Sequence, residues 1–453
     1  MEAKKIHTFQ SISDNVGQFN LQEKTFLIPE MSRIGCHLIA GAFRGFGINA
    51  VVIETYKGLD LGKEFTSGKE CFPCQVTTGD ILYFIEKEKE RLGDNFNTEN
   101  YIYFMPEATG PCRFGMYNKY QRIVLDSFPE LRKLKIGSLT TGNAYSLDGM
   151  IDEDSAKELR KVAYFSVIIG DALDRLLWRI RPYEKEPGMT DDFIERAMNH
   201  MSDAFETYGP ESNFEQILDE LEKITVEGKS IIDPTIARKP LIGIVGEIYL
   251  RTHTYSNQDL ARTLEKFGAE VVISSLTEWM DFTAYENSRL SKIELRRHLK
   301  QLRTDRLKLI LKDILNYDIA LFYQQKKQKD VYKLLNSHID LPEAHRVADL
   351  EKIIKKYDLY SFDIGTEACL SIAGLVEYAK EAYNGVVNVY PFTCMPGTIT
   401  SAVIKPIMNR LEVPYLDAPY DDSYQPGREA TMRTFMYQAQ QHFKRNGRQS
   451  HSA

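Results

Sequence analysis

The fold of this chain is predicted most clearly by one stretch of its second half, Leu241-Ile242-Gly243-Ile244-Val245, which is short and almost wholly apolar. A helical pattern follows over 257–267, Gly268 stands at its end as a C-cap, and the next apolar run is Glu270-Val271-Val272-Ile273. A strand, a helix and a second strand in this order are typical of a βαβ unit, whose strands lie parallel. The same alternation continues in this half and predicts helices at 293–315, 366–383 and 399–411, and strands at 386–392 and 415–416.

The first half of the chain alternates in the same way. Its apolar runs predict strands at 26–28, 50–53 and 101–104, and its helical patterns run over 31–43, from about 77 and from about 115. The polar, glycine-rich stretch over 58–68 predicts a loop. A second, mainly parallel sheet is therefore expected here.

The middle of the chain is different, because residues 152–231 carry apolar side chains three and four positions apart, which predicts helices. Ser155 and Glu158 have the spacing of a capping box, and Pro182 is expected to end the first helix. We therefore predict an α/β protein with two Rossmann-like domains that contain parallel sheets and are joined by a helical segment. The expected bounds are 1–150 for the N-terminal domain, 151–235 for the helical connector, 236–445 for the C-terminal domain and 446–453 for a disordered tail.

Composition narrows the class of protein. The chain has 453 residues, 43% of them hydrophobic, and a net charge of -7. A protein that binds nucleic acid needs a concentrated basic face. Because the net charge here is negative, no nucleic-acid partner is expected. No apolar run reaches the roughly 18 residues that a membrane helix needs, and the polar stretch from Met1 to Asn20 has no signal-peptide core. A cytoplasmic protein with no membrane partner is expected.

The chain contains six cysteines, which in a reducing compartment are not expected to form disulfides. Cys36 and Cys369 lie inside helical apolar patterns, so buried packing is expected for them. The other four are Cys71, Cys74, Cys112 and Cys394, and glycine and proline flank each of them. Exposed loops, rather than core positions, are expected at these four.

These four cysteines stand where strands end or helices begin. Cys71 and Cys74 precede a predicted helix, Cys112 follows the strand at 101–104, and Cys394 follows the strand at 386–392. Ligands of open α/β sheets bind beyond the carboxyl ends of the strands, so we expect the cysteines to converge in a cleft between the domains. Helix N-termini would stabilise their thiolates. We interpret the four cysteines as ligands of a metal or iron–sulfur cluster. The alternatives are a zinc site, a redox pair and inert thiols.

Charged residues near the cysteines allow other roles. Glu107 and Arg113 are candidates for acid–base chemistry in the same cleft, with loop-holding ion pairs as the alternative. The basic helix predicted at 293–315 is either a solvated face or a docking surface for an acidic partner.

Two segments resemble phosphate-binding loops without completing one. Residues 62–70 have five residues between two glycines where a P-loop has four, and Glu70 stands in place of the serine or threonine that binds magnesium. Asp363-Ile364-Gly365-Thr366 resembles the first phosphate loop of actin-like ATPases, but a second phosphate segment is not evident. The chain is therefore not expected to hydrolyse ATP alone.

Three segments, 68–80, 105–118 and 388–398, resemble the 2-hydroxyacyl-CoA dehydratase superfamily and are most similar to its activase-associated branch. The resemblance extends over about 28–438. It implies a [4Fe-4S] cluster held by Cys112, Cys394 and one of Cys71 and Cys74, with one iron left open. In double-cubane relatives a larger cluster is bound by more cysteines, so both Cys71 and Cys74 would then be ligands.

The resemblance also implies a function. The chain would be an iron–sulfur protein of anaerobic metabolism that takes electrons from a separate actin-like ATPase activator for acyl-CoA dehydration or reduction. A second dehydratase-like subunit and an acyl-CoA molecule would be its other partners. The alternatives are a non-catalytic iron–sulfur electron relay or scaffold subunit of such a system, and a zinc-stabilised scaffold.

Overall fold

The computed structural model describes residues 8–143, 145–381 and 383–447, with side chains from residue 12 onward. The chain divides into two compact units. Unit 1 comprises the residues up to 166 together with 201–214, and unit 2 comprises 167–200 and the residues from 215 onward. Of the predicted tail at 446–453, residues 448–453 lie outside the described residues, while Asn446 ends the last helix.

Unit 1 contains a five-stranded parallel sheet in the order β1-β5-β4-β2-β3. Leu27 at its centre pairs with Val51 on one side and with Tyr103 on the other. The strands are β1 (Val16–Gly17), β2 (Thr25–Pro29), β3 (Asn49–Ile53), β4 (Tyr101–Phe104) and β5 (Lys135–Gly137). The helices are α1 (Thr8–Asn15), α2 (Arg33–Gly45), α3 (Leu59–Phe65), α4 (Phe72–Leu92) and α5 (Tyr117–Asp126).

Both faces of this sheet are covered by apolar side chains. Along β2, Phe26 and Ile28 belong to the core on one face, while Leu27 belongs to the core on the other. Because side chains alternate along a strand, a continuous apolar run is what a strand buried on both faces requires.

Three helices link the regions that carry the two sheets, namely α6 (Glu153–Ile180), α7 (Met189–Tyr208) and α8 (Phe214–Ile231). Residues of α6 and of α7 belong to both units. Pro182 lies in the short turn after α6, as predicted. The predicted capping box was wrong, because α6 begins two residues before Ser155 and its first turn is capped by Asp152, which accepts a hydrogen bond from the Ser155 N–H at 3.0 Å.

Unit 2 contains a four-stranded parallel sheet in the order β7-β6-β8-β9. The strands are β6 (Leu241–Gly246), β7 (Glu270–Ile273), β8 (Gly385–Pro391) and β9 (Tyr415–Tyr420). The helices are α9 (Ile248–Thr252), α10 (Leu260–Lys266), α11 (Leu276–Lys300), α12 (Leu307–Asn336), α13 (Val347–Tyr357), α14 (Ala368–Lys380), α15 (Met395–Leu411) and α16 (Arg428–Asn446). Among the described residues, none of the helices is both long enough and apolar enough to cross a membrane.

The two sheets share a topology, apart from the edge strand β1. In each unit a strand, β2 or β6, lies between the next two strands of the chain, β3 and β4 or β7 and β8. The chain therefore leaves the central strand to one side and then crosses to the other side. Ligands of open α/β sheets bind where the strand order reverses in this way, which places a candidate site beyond β2 and β4 in unit 1 and beyond β6 and β8 in unit 2. The predicted α/β fold with two parallel, Rossmann-like sheets is confirmed.

The glycine-rich stretch over 58–68 is not the loop that its composition predicts, because most of it forms α3. Its glycines allow α3 to lie directly on the backbone of α4. A Cβ atom on Gly79 would lie 2.0 Å from the Gly58 oxygen, and one on Gly62 would lie 2.1 Å from the Gln75 oxygen. Glycine here serves close helix packing rather than chain flexibility. The following helix, α4, correspondingly begins at Phe72 rather than near residue 77.

The predicted helix at 293–315 is two helices, α11 and α12, separated by the turn at 301–306. The apolar spacing continues through this turn, which is why the sequence pattern does not show it. Leu302, with a φ of 54°, marks the reversal. Strands β1 and β5 were not predicted either, because two and three residues are too short to show an alternation.

The contact between α3 and α4 can be tested by a single methyl group. Gly79→Ala places a Cβ against the backbone of Gly58, which cannot rotate out of the way as a side chain can. Overpacking of this kind destabilises a folded protein by about 1–3 kcal/mol. We expect urea denaturation to show a loss of about 2 kcal/mol in the free energy of unfolding. Gly427→Ala is the matched control, since a Cβ there meets no atom within 4 Å, and an equal loss in that variant would contradict the explanation.

Candidate functional site

Cys71 occupies the N-cap of α4, the position at which the helix begins. Its side chain is buried, and its backbone has a φ of 102° and a ψ of 142°, a region used almost only by glycine. Such a conformation costs a cysteine on the order of 1–3 kcal/mol. The sulfur makes no capping bond to the helix. A thiolate here would lie next to the positive end of the α4 dipole.

Cys74 lies three residues further on, in the first turn of α4, and its side chain is fully buried. Burial raises the pKa of its thiol well above the usual value. The Thr78 hydroxyl lowers that pKa, the nearby Cys71 and Glu70 raise it, and the Arg113 guanidinium lowers it slightly. The two thiols are therefore neighbours, and the charge of Arg113 acts on Cys74.

The first turns of α4 are fixed to the strand and helix behind them. The Tyr103 hydroxyl of β4 donates to the Thr77 carbonyl at 3.0 Å, and the Gln121 amide of α5 donates to the Thr77 hydroxyl at 3.0 Å. Both bonds are buried. The positions of the thiols are thus set by rigid elements rather than by a mobile loop.

Cys112 follows β4 and is the N-cap of the 3-10 turn Arg113–Met116, with its side chain half-buried. The next residue, Arg113, donates a hydrogen bond from Nη1 to the Lys69 carbonyl. The segment that carries Cys112 therefore contacts the segment that carries Cys71. In unit 1 the Arg113–Lys69 bond thus joins two of the segments on which the sequence placed candidate cysteines.

The two carboxylates beside these cysteines hold the loops in place. Glu107 accepts a hydrogen bond from Asn118 at 2.9 Å and forms an ion pair with Lys119. Burial alone would raise the pKa of Glu70, but hydrogen bonds from its own N–H and from the N–H and hydroxyl of Ser67 hold that pKa below its usual value. Glu107 thus has the ion-pair arrangement that the sequence offered as the alternative to acid–base chemistry.

Cys394 is the N-cap of α15 in unit 2 and lies three residues beyond the end of β8. The chain turns between them at Thr393, which has a φ of 68°. Gly397 lets the first turn of α15 lie flat on the ring of Tyr390, because a Cβ there would be 2.3 Å from the ring. This contact explains the need for glycine in the Cys-Met-Pro-Gly segment.

A buried polar network supports the same turn. Asn388 donates from Nδ2 to the Gly397 carbonyl at 3.2 Å and to the Ser401 hydroxyl at 3.1 Å. The Tyr390 hydroxyl donates to Asp417 on β9 at 2.9 Å, and burial raises the pKa of this tyrosine to about 12. Strand, helix and cysteine are therefore fixed relative to one another.

The expectation of exposed loops at these cysteines was wrong, because Cys71, Cys74 and Cys394 are buried and Cys112 is half-buried. The flanking prolines and glycines start helices and allow close packing, which hides the sulfur atoms. Cys36 and Cys369 lie buried within α2 and α14, as their helical pattern predicts. Burial raises the pKa of Cys36 to about 11 and that of Cys369 to about 12.

The four candidate cysteines are divided between the units, since Cys394 belongs to unit 2 and the other three belong to unit 1. Their gathering around one cofactor stays a prediction. Across 8–143, 145–381 and 383–447, the structure has no preformed group of three or more histidine, cysteine, aspartate or glutamate residues that could hold a metal ion.

Sequence reasoning missed a set of charged residues near the end of β6, of which Arg251 and Glu367 are buried and Glu247 is half-buried. Glu247 follows this strand directly and caps α9, and its burial raises its pKa. Burial, and then the charge of Glu247, raise the pKa of Glu367 to about 7. Arg251, also buried, donates to the Ser275 carbonyl at 2.7 Å. The rule applied to the cysteines, that residues just beyond a parallel strand face the ligand side, would also have pointed to Glu247.

The two segments that resemble phosphate loops have other roles. Gly62 lies within α3 and packs on α4. Asp363 lies in the 3-10 turn Phe362–Ile364, between α13 and α14, where it forms an ion pair with Arg289 at 2.7 Å.

In comparisons with known proteins, no family model matches this chain, and no curated protein matches it. The resemblance to the 2-hydroxyacyl-CoA dehydratase superfamily therefore rests on the three motif segments alone.

The carboxyl of Asp80, behind the cysteines on α4, should make stability depend on pH. It accepts hydrogen bonds from Thr55 and from the Tyr56 N–H, and burial raises its pKa to about 7. In the unfolded chain its pKa is about 3.9. Between those values only the folded state binds the proton, so stability falls as pH rises, by about 1.4 kcal/mol per pH unit.

Asp80→Asn removes this titration. Urea denaturation at pH 5 and pH 8 should show that wild type loses more stability than Asp80→Asn as the pH rises. Asp60→Asn is the control, because its carboxylate is almost fully exposed, and it should follow wild type. Parallel profiles for wild type and Asp80→Asn would contradict the role given to burial.

The thiols should differ in reactivity in the metal-free protein. Cys112 is the most exposed of the four candidates, whereas Cys74 is buried and its pKa is raised. Because the thiolate is the reactive form, N-ethylmaleimide should label Cys112 first and Cys74 last. Peptide mapping by mass spectrometry would follow the order. Equal labelling of both residues in the folded protein would show that the turn at Cys74 is open.

Proposed function

We propose that this chain is an iron–sulfur protein whose cluster is held by Cys112, Cys394 and one or both of Cys71 and Cys74. One observation carries the proposal: Cys71, Cys112 and Cys394 each occupy the N-cap of a helical segment. Cysteine is not among the residues favoured at an N-cap, and none of these three makes a capping bond.

The electrostatics of the cysteines are consistent with a metal-bound role. Burial disfavours the thiolate, as the raised pKa of Cys74 shows. A thiolate in such a place requires positive charge nearby, which helix N-termini, Arg113 and above all a metal ion supply. Cluster binding would therefore release protons from these thiols and stabilise the fold.

The residues around the cysteines position them and exclude water. Tyr103 and Gln121 fix the turn that carries Cys71 and Cys74, and Asn388 and Tyr390 fix the turn that carries Cys394. When bound, the cluster would supply low-potential electron transfer and, where one iron stays open, a binding point for a thioester carbonyl. Glu367, whose pKa is raised to about 7 by its burial, is a candidate proton donor or acceptor in unit 2.

The proposed setting follows from the resemblance. The chain would receive electrons from a separate actin-like ATPase activator and act on an acyl-CoA, by dehydration or reduction, in the cytoplasm of an anaerobe. A second dehydratase-like subunit would complete the system. The chain alone would not hydrolyse ATP.

The second candidate function is an electron relay, and the position of Cys74 favours it. Because Cys71 and Cys74 lie in the same helical turn, both thiolates could serve one cluster together with Cys112 and Cys394. Four thiolates would leave no iron open to a substrate. A substrate-induced change in the EPR spectrum, which needs an open iron, separates an enzyme from a relay.

Anaerobic purification tests the proposal directly. We expect about four irons and four acid-labile sulfides per chain, or about eight irons for a double cubane, and an EPR signal after reduction with dithionite. Cys112→Ala and Cys394→Ala should each lower the bound iron at least fivefold. Cys36→Ala is the matched control, since it removes a buried thiol from a helix outside the site, and it should retain the iron.

Two results would decide against the proposal. Zinc without sulfide would identify the zinc-stabilised scaffold, and full iron loading in Cys394→Ala would exclude a cluster shared by both units. Far-UV circular dichroism of each variant separates loss of the ligand from loss of the fold.

A further inference from the structure

Helices α11 and α12 form an antiparallel hairpin in unit 2. Their pairing is fixed by Gln328 and Asp281 at 3.0 Å near one end and by Lys292 and Asp318 at 3.0 Å further along. The turn at 301–306 closes the hairpin. Of the 20 large hydrophobic side chains that are exposed in the described structure, nine fall within residues 290–322. This concentration marks the hairpin as an unusual surface, because exposed apolar residues are normally scattered.

Four of these side chains form an apolar stripe along α12, and each is more than half exposed. The stripe consists of Leu311, Leu315, Ile319 and Phe322. Spacings of four, four and three residues place them on one face of the helix over about three turns. Such a stripe on a surface helix normally faces another element, and here no element of the described structure covers it.

The end of the hairpin near its turn is strongly basic. Residues 292–312, here called the basic tip, contain eight lysine and arginine residues and two acidic residues, a net charge of +6 in a chain whose total is -7. Six of the eight have no acidic partner among the residues that the structure describes, namely Arg296, Arg297, Lys300, Arg306, Lys308 and Lys312. The net charge of the remaining residues of the chain is therefore -13.

We propose that the apolar stripe and the basic tip together form a docking surface for an amphipathic helix of a partner protein, a helix whose apolar face is flanked by aspartate and glutamate. The spacing of the stripe fits the side chains of a second helix, which packs by inserting its ridges between such rows. Arginine in the tip favours carboxylates, because its guanidinium binds them in a bidentate manner. This surface does not involve the cysteines, so the inference is independent of the proposed cluster.

A second copy of this chain fits the surface less well. Two stripes would bring two basic helices together, since α12 itself carries six lysines and three aspartates. The acidic segment of the chain, 184–222, has twelve acidic and two basic residues, so its charge is complementary to that of the basic tip. Its large apolar side chains are buried or half-buried, however, and Met189 is the exposed one among those described. That segment could pair with the charges but could not fill the stripe.

The test uses the full chain and two synthetic peptides of roughly 20 residues, with the same leucine stripe along one helical face. In one peptide the flanking residues are glutamate, and in the other they are lysine. Fluorescence anisotropy should show that the glutamate peptide binds at least tenfold more tightly than the lysine peptide, and that its affinity falls with added salt.

Two variants assign the binding to the hairpin. Leu315→Asp combined with Phe322→Asp should weaken binding of the glutamate peptide at least tenfold by breaking the stripe. Lys308→Glu combined with Lys312→Glu lowers the net charge of the basic tip from +6 to +2 and should reduce the preference for the glutamate peptide at least threefold. Acidic residues near the start of α12 do not disfavour the helix. Tyr437→Asp is the matched control, because it changes an exposed aromatic residue on α16, and it should bind as wild type does.

Three outcomes would overturn the proposal. Equal binding of both peptides would show that charge does not select the partner. Binding of the chain to vesicles with 30% phosphatidylserine, lost in the stripe variant and without peptide binding, would assign the surface to an anionic membrane. Self-association in sedimentation velocity that the stripe variant abolishes would assign it to a second copy. Circular dichroism and thermal melting confirm that each variant is folded.

Discussion

Parallel pairing of strands is the constraint on which the rest of this structure depends. A parallel strand cannot be reached through a tight turn, so each of the two sheets is built through crossover connections, most of which contain helices. All carboxyl ends then lie along one edge of the sheet, and helices begin there. Cys112, Cys394 and Glu247 follow strands β4, β8 and β6, so their positions result from this one rule. The helices that start at this edge supply the positive potential that a buried thiolate or carboxylate needs.

Much of this arrangement could be predicted from the sequence, because strands of a buried parallel sheet have continuous apolar runs as their sequence pattern. The runs at 241–245, 270–273 and 101–104 coincide with β6, β7 and β4. Features that depend on contacts distant in sequence could not be predicted. The sequence around Gly58 and Gly79 is typical of a loop and a helix and does not show that their backbones are in contact. The turn at 301–306 could not be predicted because the apolar spacing continues through it.

The sequence pointed to four candidate cysteines but not to the environment in which the structure places them. Proximity to strand ends picked out the four cysteines, whereas the flanking prolines and glycines suggested exposure. In the structure those prolines start helices, as Pro73 does in α4, and Gly397 lets a helix approach a ring, so the sulfur atoms become buried. Exposure depends on what packs over a turn, and local sequence carries little of that information. Glu247 could have been found from its place directly after β6, whereas the burial of Arg251 and Glu367 was missed for the same reason as that of the cysteines.

The backbone of Cys71 has one further consequence. Its φ and ψ lie where glycine is nearly without strain and every other residue is under strain, so glycine would relax the chain at this point while removing a donor atom. Under the proposed cluster, stability and metal binding therefore place opposite demands on position 71. The backbone strain would then be the free-energy cost at which the fold keeps a sulfur atom that glycine does not have.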